Sequence, residues 1–230
     1  MKVYHGTSEK YLKSILKNGL IPRGEKDGNW KHSEEGHSEY NYLTSVYAGY
    51  FALSAIDDYE KERLMLIEVD LDKLDKKNFR PDEDFIAQSI SQSELDKDLL
   101  DINEEKYRHA WKLSLNHMGT MAYKGKIPKS AIVRIVLVKF HYLLYPITDP
   151  VISILNFKLM NGRYAAYTKI LLGDKITWNE FKKKETFFAK LTSSGFFENE
   201  QPQWFKPFYN EQKKAFEKMT KEIERETIWF

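Results

Sequence analysis

The run Ile132-Val133-Arg134-Ile135-Val136-Leu137-Val138 is the clearest strand in the chain, dense in β-branched residues that suit a pleated surface. Arg63-Leu64-Met65-Leu66-Ile67-Glu68-Val69 reads as a second strong, buried strand. A chain carrying both must build a sheet. Weaker strand patterns cover Lys2–His5, Tyr40–Thr44 and Met121–Tyr123. Helical spacing separates them. Ser8 is an N-cap, Tyr11, Leu12, Ile15 and Leu16 share a face, and Gly19 stops that helix ahead of Pro22. Val46–Ile56 is a small-residue helix carrying Tyr47 and Tyr50. Asp70–Phe85 is turn-rich, and polar helices follow at Ser91–Leu100 and Glu104–His117. Strands parted by helices at irregular spacing predict an α+β fold rather than regular βαβ units.

The texture changes after Tyr145-Pro146. Helical patterns cover Pro150–Leu159, Tyr164–Leu172, Trp178–Leu191 and Asn210–Thr227. The expected organisation is a mixed α/β part, residues 1–145, and an all-helical extension, residues 146–230, packed on it. The 230 residues, 42% of them apolar, suffice for one such core. No cysteine is present, which excludes disulfides and thiolate metal sites. No run is apolar enough to span a bilayer and no leader pattern is evident, so a cytoplasmic protein with no membrane partner is expected. Net charge is only +2, but from residue 151 onward 14 Lys and Arg stand against 10 Asp and Glu. That basic surplus, with Lys182-Lys183-Lys184 among Trp178, Phe181, Phe187 and Phe188, suits a nucleic acid. It also suits an ordinary solvated face.

Three places carry chemistry. His5-Gly6-Thr7 puts a ring nitrogen beside a glycine that lets a ligand approach the backbone. Arg23–Glu39 is a long polar loop without periodicity, a kind of segment that is often functional. Tyr42-Leu43-Thr44 sets an aromatic ring at a strand end, with Tyr50 on the next helix. Histidines 32, 37, 109, 117 and 141 have no metal-like spacing, so no metal is expected.

Taken in order, these segments resemble the ADP-ribosyltransferase superfamily over residues 1–140. They are similar to its diphtheria-toxin and poly(ADP-ribose) polymerase branch, whose triad is His, Tyr and Glu. Glu68-Val69-Asp70-Leu71, Pro81-Asp82-Glu83-Asp84 and the Ala122–Pro128 segment add to the likeness. The resemblance implies a split mixed β-sheet core and a pocket for NAD as co-substrate. It implies that His5 holds the adenosine ribose, that Gly6 holds the nicotinamide amide, and that Tyr42 stacks on the nicotinamide ring with Tyr50 opposite. Thr7 and the Arg23–Glu39 loop then sit near the ribose and pyrophosphate, with Arg23 on a phosphate, as a guanidinium suits.

The chain departs from the pattern at the third corner. The family glutamate sits near the start of the late strand, where this chain reads Gly119-Thr120-Met121-Ala122-Tyr123. Either Thr120 takes a weaker hydrogen-bonding role, or an acid arrives from elsewhere. Glu83 is the best candidate, with Asp84 behind it. An acid is needed because breaking the nicotinamide bond builds positive charge on the ribose, as in glycoside hydrolysis.

The expected activity is mono-ADP-ribosyl transfer to a macromolecule, with nucleic acid ahead of protein. A toxin or anti-phage role, with an antitoxin or inhibitor protein as partner, comes with the resemblance. The alternatives are a non-catalytic NAD or ADP-ribose binding module and an RNA 2′-phosphotransferase-like enzyme.

Overall fold

Along the chain come β1 (Lys2–Ser8), α1 (Leu12–Asn18), β2 (Tyr40–Thr44), α2 (Ala48–Ser54), β3 (Leu64–Asp70) and β4 (Phe79–Arg80). α3 (Glu83–Ser89), α4 (Trp111–His117), β5 (Thr120–Lys124), β6 (Ile132–Val138), α5 (Tyr164–Leu172), α6 (Trp178–Phe181) and β7 (Arg225–Trp229) complete the set. The structure is a computed structural model that describes residues 1–24, 36–58, 61–89, 108–139, 164–181 and 213–230, apart from 215, 218, 219 and 222.

The strands form one seven-stranded sheet in the order β4-β5-β2-β1-β3-β6-β7. Every pairing in it is antiparallel, which corrects the expected mixed sheet. β3 and β6 lie inside the sheet and are covered on both faces, so their sequences are almost continuously apolar rather than alternating. Leu64 and Leu66 of β3 and Val136 and Val138 of β6 face α2 and α5. Met65, Ile67 and Val69 of β3 and Ile135 and Leu137 of β6 join Ile15, Leu43, Met121 and Leu115 on the other face. Each such aliphatic side chain contributes roughly 1.5–3 kcal/mol of transfer free energy.

Two differences from expectation bear on the site and on the C-terminal part. β1 runs on to Ser8, so His5-Gly6-Thr7 lies inside the strand and not at its end. Residues 5–8 stay extended because β3 pairs with all of β1, from Lys2↔Asp70 to Ser8↔Leu64. The second difference is β7. The helix expected to reach Thr227 gives way to a strand at Arg225, so the C-terminal part is not all-helical. β6 is buried and needs partners for the backbone groups turned away from β3. β7 supplies them from Arg225↔Val138 to Trp229↔Arg134. A non-local ladder outweighs a local helical pattern there.

The expected Tyr164–Leu172 helix is present as α5, and Ile170, Leu171 and Leu172 enter the same core as β3 and β6. The helices expected at 91–100 and 150–159, and the lysines at 182–184, lie outside the described residues. Among the described residues no helix is long and apolar enough to cross a membrane.

The seat of α2 explains Gly6. A Cβ added to Gly6 would lie 1.9 Å from the Ala48 carbonyl oxygen and 2.7 Å from the Ala52 nitrogen. Helix and strand touch backbone to backbone, with alanines at both contact points. Gly6→Ala must push α2 off the sheet, and should lower the unfolding free energy by about 1–3 kcal/mol in denaturant titration. An unchanged midpoint would show that α2 does not rest on Gly6.

Candidate active site

The site begins where β1 and β2 part. The two strands share one register pair, Tyr4↔Thr44. Beyond it a side chain takes over from the ladder, and His5 Nδ1 lies 2.8 Å from the Tyr42 carbonyl oxygen. A carbonyl only accepts, so Nδ1 carries the proton. Burial holds the His5 pKa below the usual histidine value, against the smaller opposing pull of that backbone bond. The ring is therefore neutral at pH 7, and Nε2 is an acceptor. Among the described residues no donor reaches it.

Tyr42 reaches toward the start of α3. Its hydroxyl donates to Glu83 Oε1 at 2.6 Å and accepts from the His37 N–H at 2.6 Å. That N–H also lies 3.3 Å from Glu83 Oε1. Burial, and then the Glu83 carboxylate, raise the Tyr42 pKa, so the phenol keeps its proton.

The local sequence explains where Glu83 sits. β4 is two residues long and ends at Arg80, with Pro81 next. Asp82 then caps α3: its Oδ1 accepts from the Asp84 N–H at 3.0 Å, and its carbonyl accepts from the Phe85 and Ile86 N–H groups. Glu83 follows as the first helical residue. The Asp82 N–H donates to Ser114 Oγ at 3.0 Å, and Ser114 Oγ donates to the Thr120 carbonyl at 2.7 Å. This relay ties the start of α3 to the start of β5.

Asp82 is half-buried. Burial first, and then the charges of Glu83 and Asp84, push its carboxyl up to about 7. The Thr120 hydroxyl opposes the shift, yet Oγ1 is buried and completes no hydrogen bond. It lies toward the carboxyl without closing on it.

A loop segment covers Tyr42. Arg23 Nη2 donates to the Gly36 carbonyl at 2.6 Å. A Cβ on Gly36 would stand 2.7 Å from Tyr42 Oη and 2.9 Å from Cε2 and Cζ. The His37 ring stacks on Tyr40 with centroids 4.2 Å apart.

The expected residues thus divide. His5, Tyr42 and Glu83 are joined by direct contacts. Arg23 reaches them through Gly36, and Thr120 through Asp82. Gly6, Thr7 and Tyr50 are not links of that chain: Gly6 seats α2, Thr7 is buried in β1, and Tyr50 is half-buried on α2 with its ring against Phe51. Asp84 is exposed. Sequence reasoning missed three groups. Asp82 has a usable signal, an aspartate just before a helix. His37 stood unmarked in a polar loop, and Ser114 has no sequence signal at all. Among the described residues no cluster of three His, Asp or Glu could hold a metal ion.

No family model matches the sequence, and no curated protein matches it. Among solved structures the chain is similar to one titled EcPltA, at 14% identity and a TM-score of 0.34, over 60% of this chain and 75% of that one. The likeness is too loose to carry a residue's role across.

Asp82 makes stability depend on pH. Its carboxyl titrates near 7 in the folded chain and near about 3.9 when unfolded. Between those values the unfolded state has released a proton that the folded state keeps. Stability is therefore whole below about pH 4, falls as pH rises, and stays lowered above about pH 7. Asparagine caps a helix as well as aspartate does. Asp82→Asn should stabilise the chain by on the order of 1–3 kcal/mol at pH 8 and by little at pH 4. Unfolding curves that keep the same separation at both pH values would refute this.

Proposed function

We propose that the chain is an NAD-dependent ADP-ribosyltransferase that modifies a macromolecular acceptor, with nucleic acid preferred to protein. The observation that carries this is the contact chain His5–Tyr42–Glu83. Three residues far apart in sequence, of the types the resemblance requires, are joined by bonds of 2.8 and 2.6 Å.

The donor set fits NAD. His5 Nε2 is an acceptor that no donor among the described residues reaches, suited to a sugar hydroxyl. The buried, unpartnered Thr120 hydroxyl suits another. An aromatic ring beside two carboxyl groups favours a flat cationic ring such as nicotinamide in its NAD form. When bound, NAD would supply an ADP-ribosyl group on a bond to that cationic leaving group. Glu83, held by the Tyr42 hydroxyl, would stabilise positive charge on the sugar carbon. One such aimed group contributes about 2.7–4 kcal/mol of barrier lowering. A carboxylate here can also take the proton that the acceptor releases. Tyr42 holds Glu83 in place, and His5 fixes Tyr42 through its backbone. The preference for nucleic acid rests on the basic surplus after residue 151.

Incubation with NAD labelled in its ADP-ribose half tests the proposal. Nicotinamide should be released, and label should appear on RNA or DNA in preference to protein. Tyr42→Ala should bring turnover to background, and Glu83→Gln should slow it by at least about tenfold. Tight NAD binding without turnover would favour the binding module instead. An unaltered Glu83→Gln rate would remove Glu83 from the chemistry.

A further inference from the structure

The two edges of the sheet are unlike. At one end β4 is two residues long and Pro81 follows it, so little backbone is offered there. At the other end β7 runs for five residues without proline or lysine, the residues that commonly blunt an edge. Glu226, Thr227 and Trp229 are exposed along it, Trp229 to 67%. Among the described residues no strand pairs with its outer side.

The bonding to β6 decides which backbone groups of β7 face outward. Lys139 N–H donates to the Glu224 carbonyl at 3.3 Å, and Phe230 N–H to the Val133 carbonyl at 3.2 Å. In an antiparallel ladder alternate residues bond the same neighbour, so the even-numbered residues of β7 bond β6. Arg225, Thr227 and Trp229 turn their N–H and C=O groups outward. They are the first, third and fifth residues of the strand, and Thr227 is its centre. Such an edge is complementary to itself.

We propose that β7 is a docking edge for a second copy of this chain, the two β7 strands pairing antiparallel about a twofold axis at Thr227. Thr227 then faces Thr227 of the second copy, Arg225 faces its Trp229, and each such pair exchanges both of its backbone bonds. The side chains agree with this register. Threonine opposite threonine is a favourable cross-strand pair, and arginine opposite tryptophan sets a guanidinium beside an aromatic face. Trp229 is already propped on the sheet, with Arg134 Cζ 5.5 Å from its ring centre. Glu226 falls opposite Ile228 rather than another acid, and its own charge is met by Arg63 Nη1 at 2.7 Å. Sliding the register by two residues one way sets Glu226 against Glu226, and sliding it the other way carries Arg225 past the end of its partner strand. The candidate active site lies on the β4-β5-β2 side of the sheet, away from β7. Pairing through β7 therefore leaves two such sites at opposite ends of one continuous sheet.

Sedimentation equilibrium of the full chain, at concentrations up to about 200 μM to suit a short and weak interface, tests the edge. The wild type should approach twice the monomer mass. Thr227→Pro removes only an outward N–H and keeps the β6–β7 bonds. It should weaken association by at least about tenfold. Thr227→Lys and Thr227→Glu each set like charges face to face on the axis and should do the same. Mixed in equal amounts, those two variants should recover the dimer, a rescue that damage to the fold would not give. A wild type that stays monomeric overturns the proposal. So does a dimer that these substitutions leave intact, or a mixture of the Lys and Glu variants that fails to associate.

Discussion

One hydrogen bond joins the two halves of the sheet at the place where the ladder gives out. Strands β4, β5 and β2 lie on one side of that joint, and β1, β3, β6 and β7 on the other. β1 is paired with β3 along seven positions but with β2 at only one. A ladder that stops inside a fold leaves backbone groups in need of partners. His5 answers for Tyr42 by putting its Nδ1–H on the carbonyl. That duty fixes the tautomer, burial keeps the ring neutral, and the second nitrogen is an acceptor that no donor among the described residues reaches. The structural role of His5 and its candidate ligand role are two ends of one imidazole.

The same joint dictates what surrounds it. α2 crosses β1 so closely that only glycine fits at position 6. Thr44 fixes where α2 begins: its Oγ1 accepts from the Val46 and Tyr47 N–H groups and donates to the Gly119 carbonyl at 2.7 Å. From the far end of the chain, Thr168 of α5 donates to the Val46 carbonyl at 2.7 Å. The end of β2, the approach to β5 and the start of α2 are thereby one bonded unit. Tyr42 lies two residues back from this unit, and its position follows from the unit's rigidity.

What the sequence discloses depends on whether the deciding interaction is local. β3 and β6 are legible because burial on both faces writes itself into an unbroken apolar run. Gly19 is legible because a helix end has its own chemistry. β7 is not, since Arg225-Glu226-Thr227-Ile228-Trp229 takes its shape from β6, about 90 residues earlier in the chain. His5, Tyr42 and Glu83 could be picked out by residue type and order. Their contacts could not, because each depends on a strand or helix end arriving from elsewhere. Gly6 looked like a ligand's approach to the backbone, and its missing side chain serves α2. Asp82 was passed over for its neighbour, although an aspartate before a helix has a defined place. Its carboxyl is singled out only by enclosure, which no local pattern records.

The candidate acids lie in the β4–α3 turn rather than on β5, and electrostatics accounts for that placement. Thr120 opens β5 directly opposite Thr44, in a buried position. A carboxylate there would have to be desolvated, which costs several kcal/mol unless donors surround it. The turn carries its own donors. Asp82 receives the Asp84 N–H, and Glu83 receives the Tyr42 hydroxyl with the His37 N–H close by. Helix geometry then splits the pair. Glu83 takes the donors, while the Asp82 carboxyl beside it holds its proton to near neutrality. Two carboxyl groups in different surroundings at one place are an arrangement that acid–base chemistry can use. Thr120 completes it from the strand side. Its unpartnered hydroxyl costs about 1–3 kcal/mol, a cost that a ligand hydroxyl bonded there would remove.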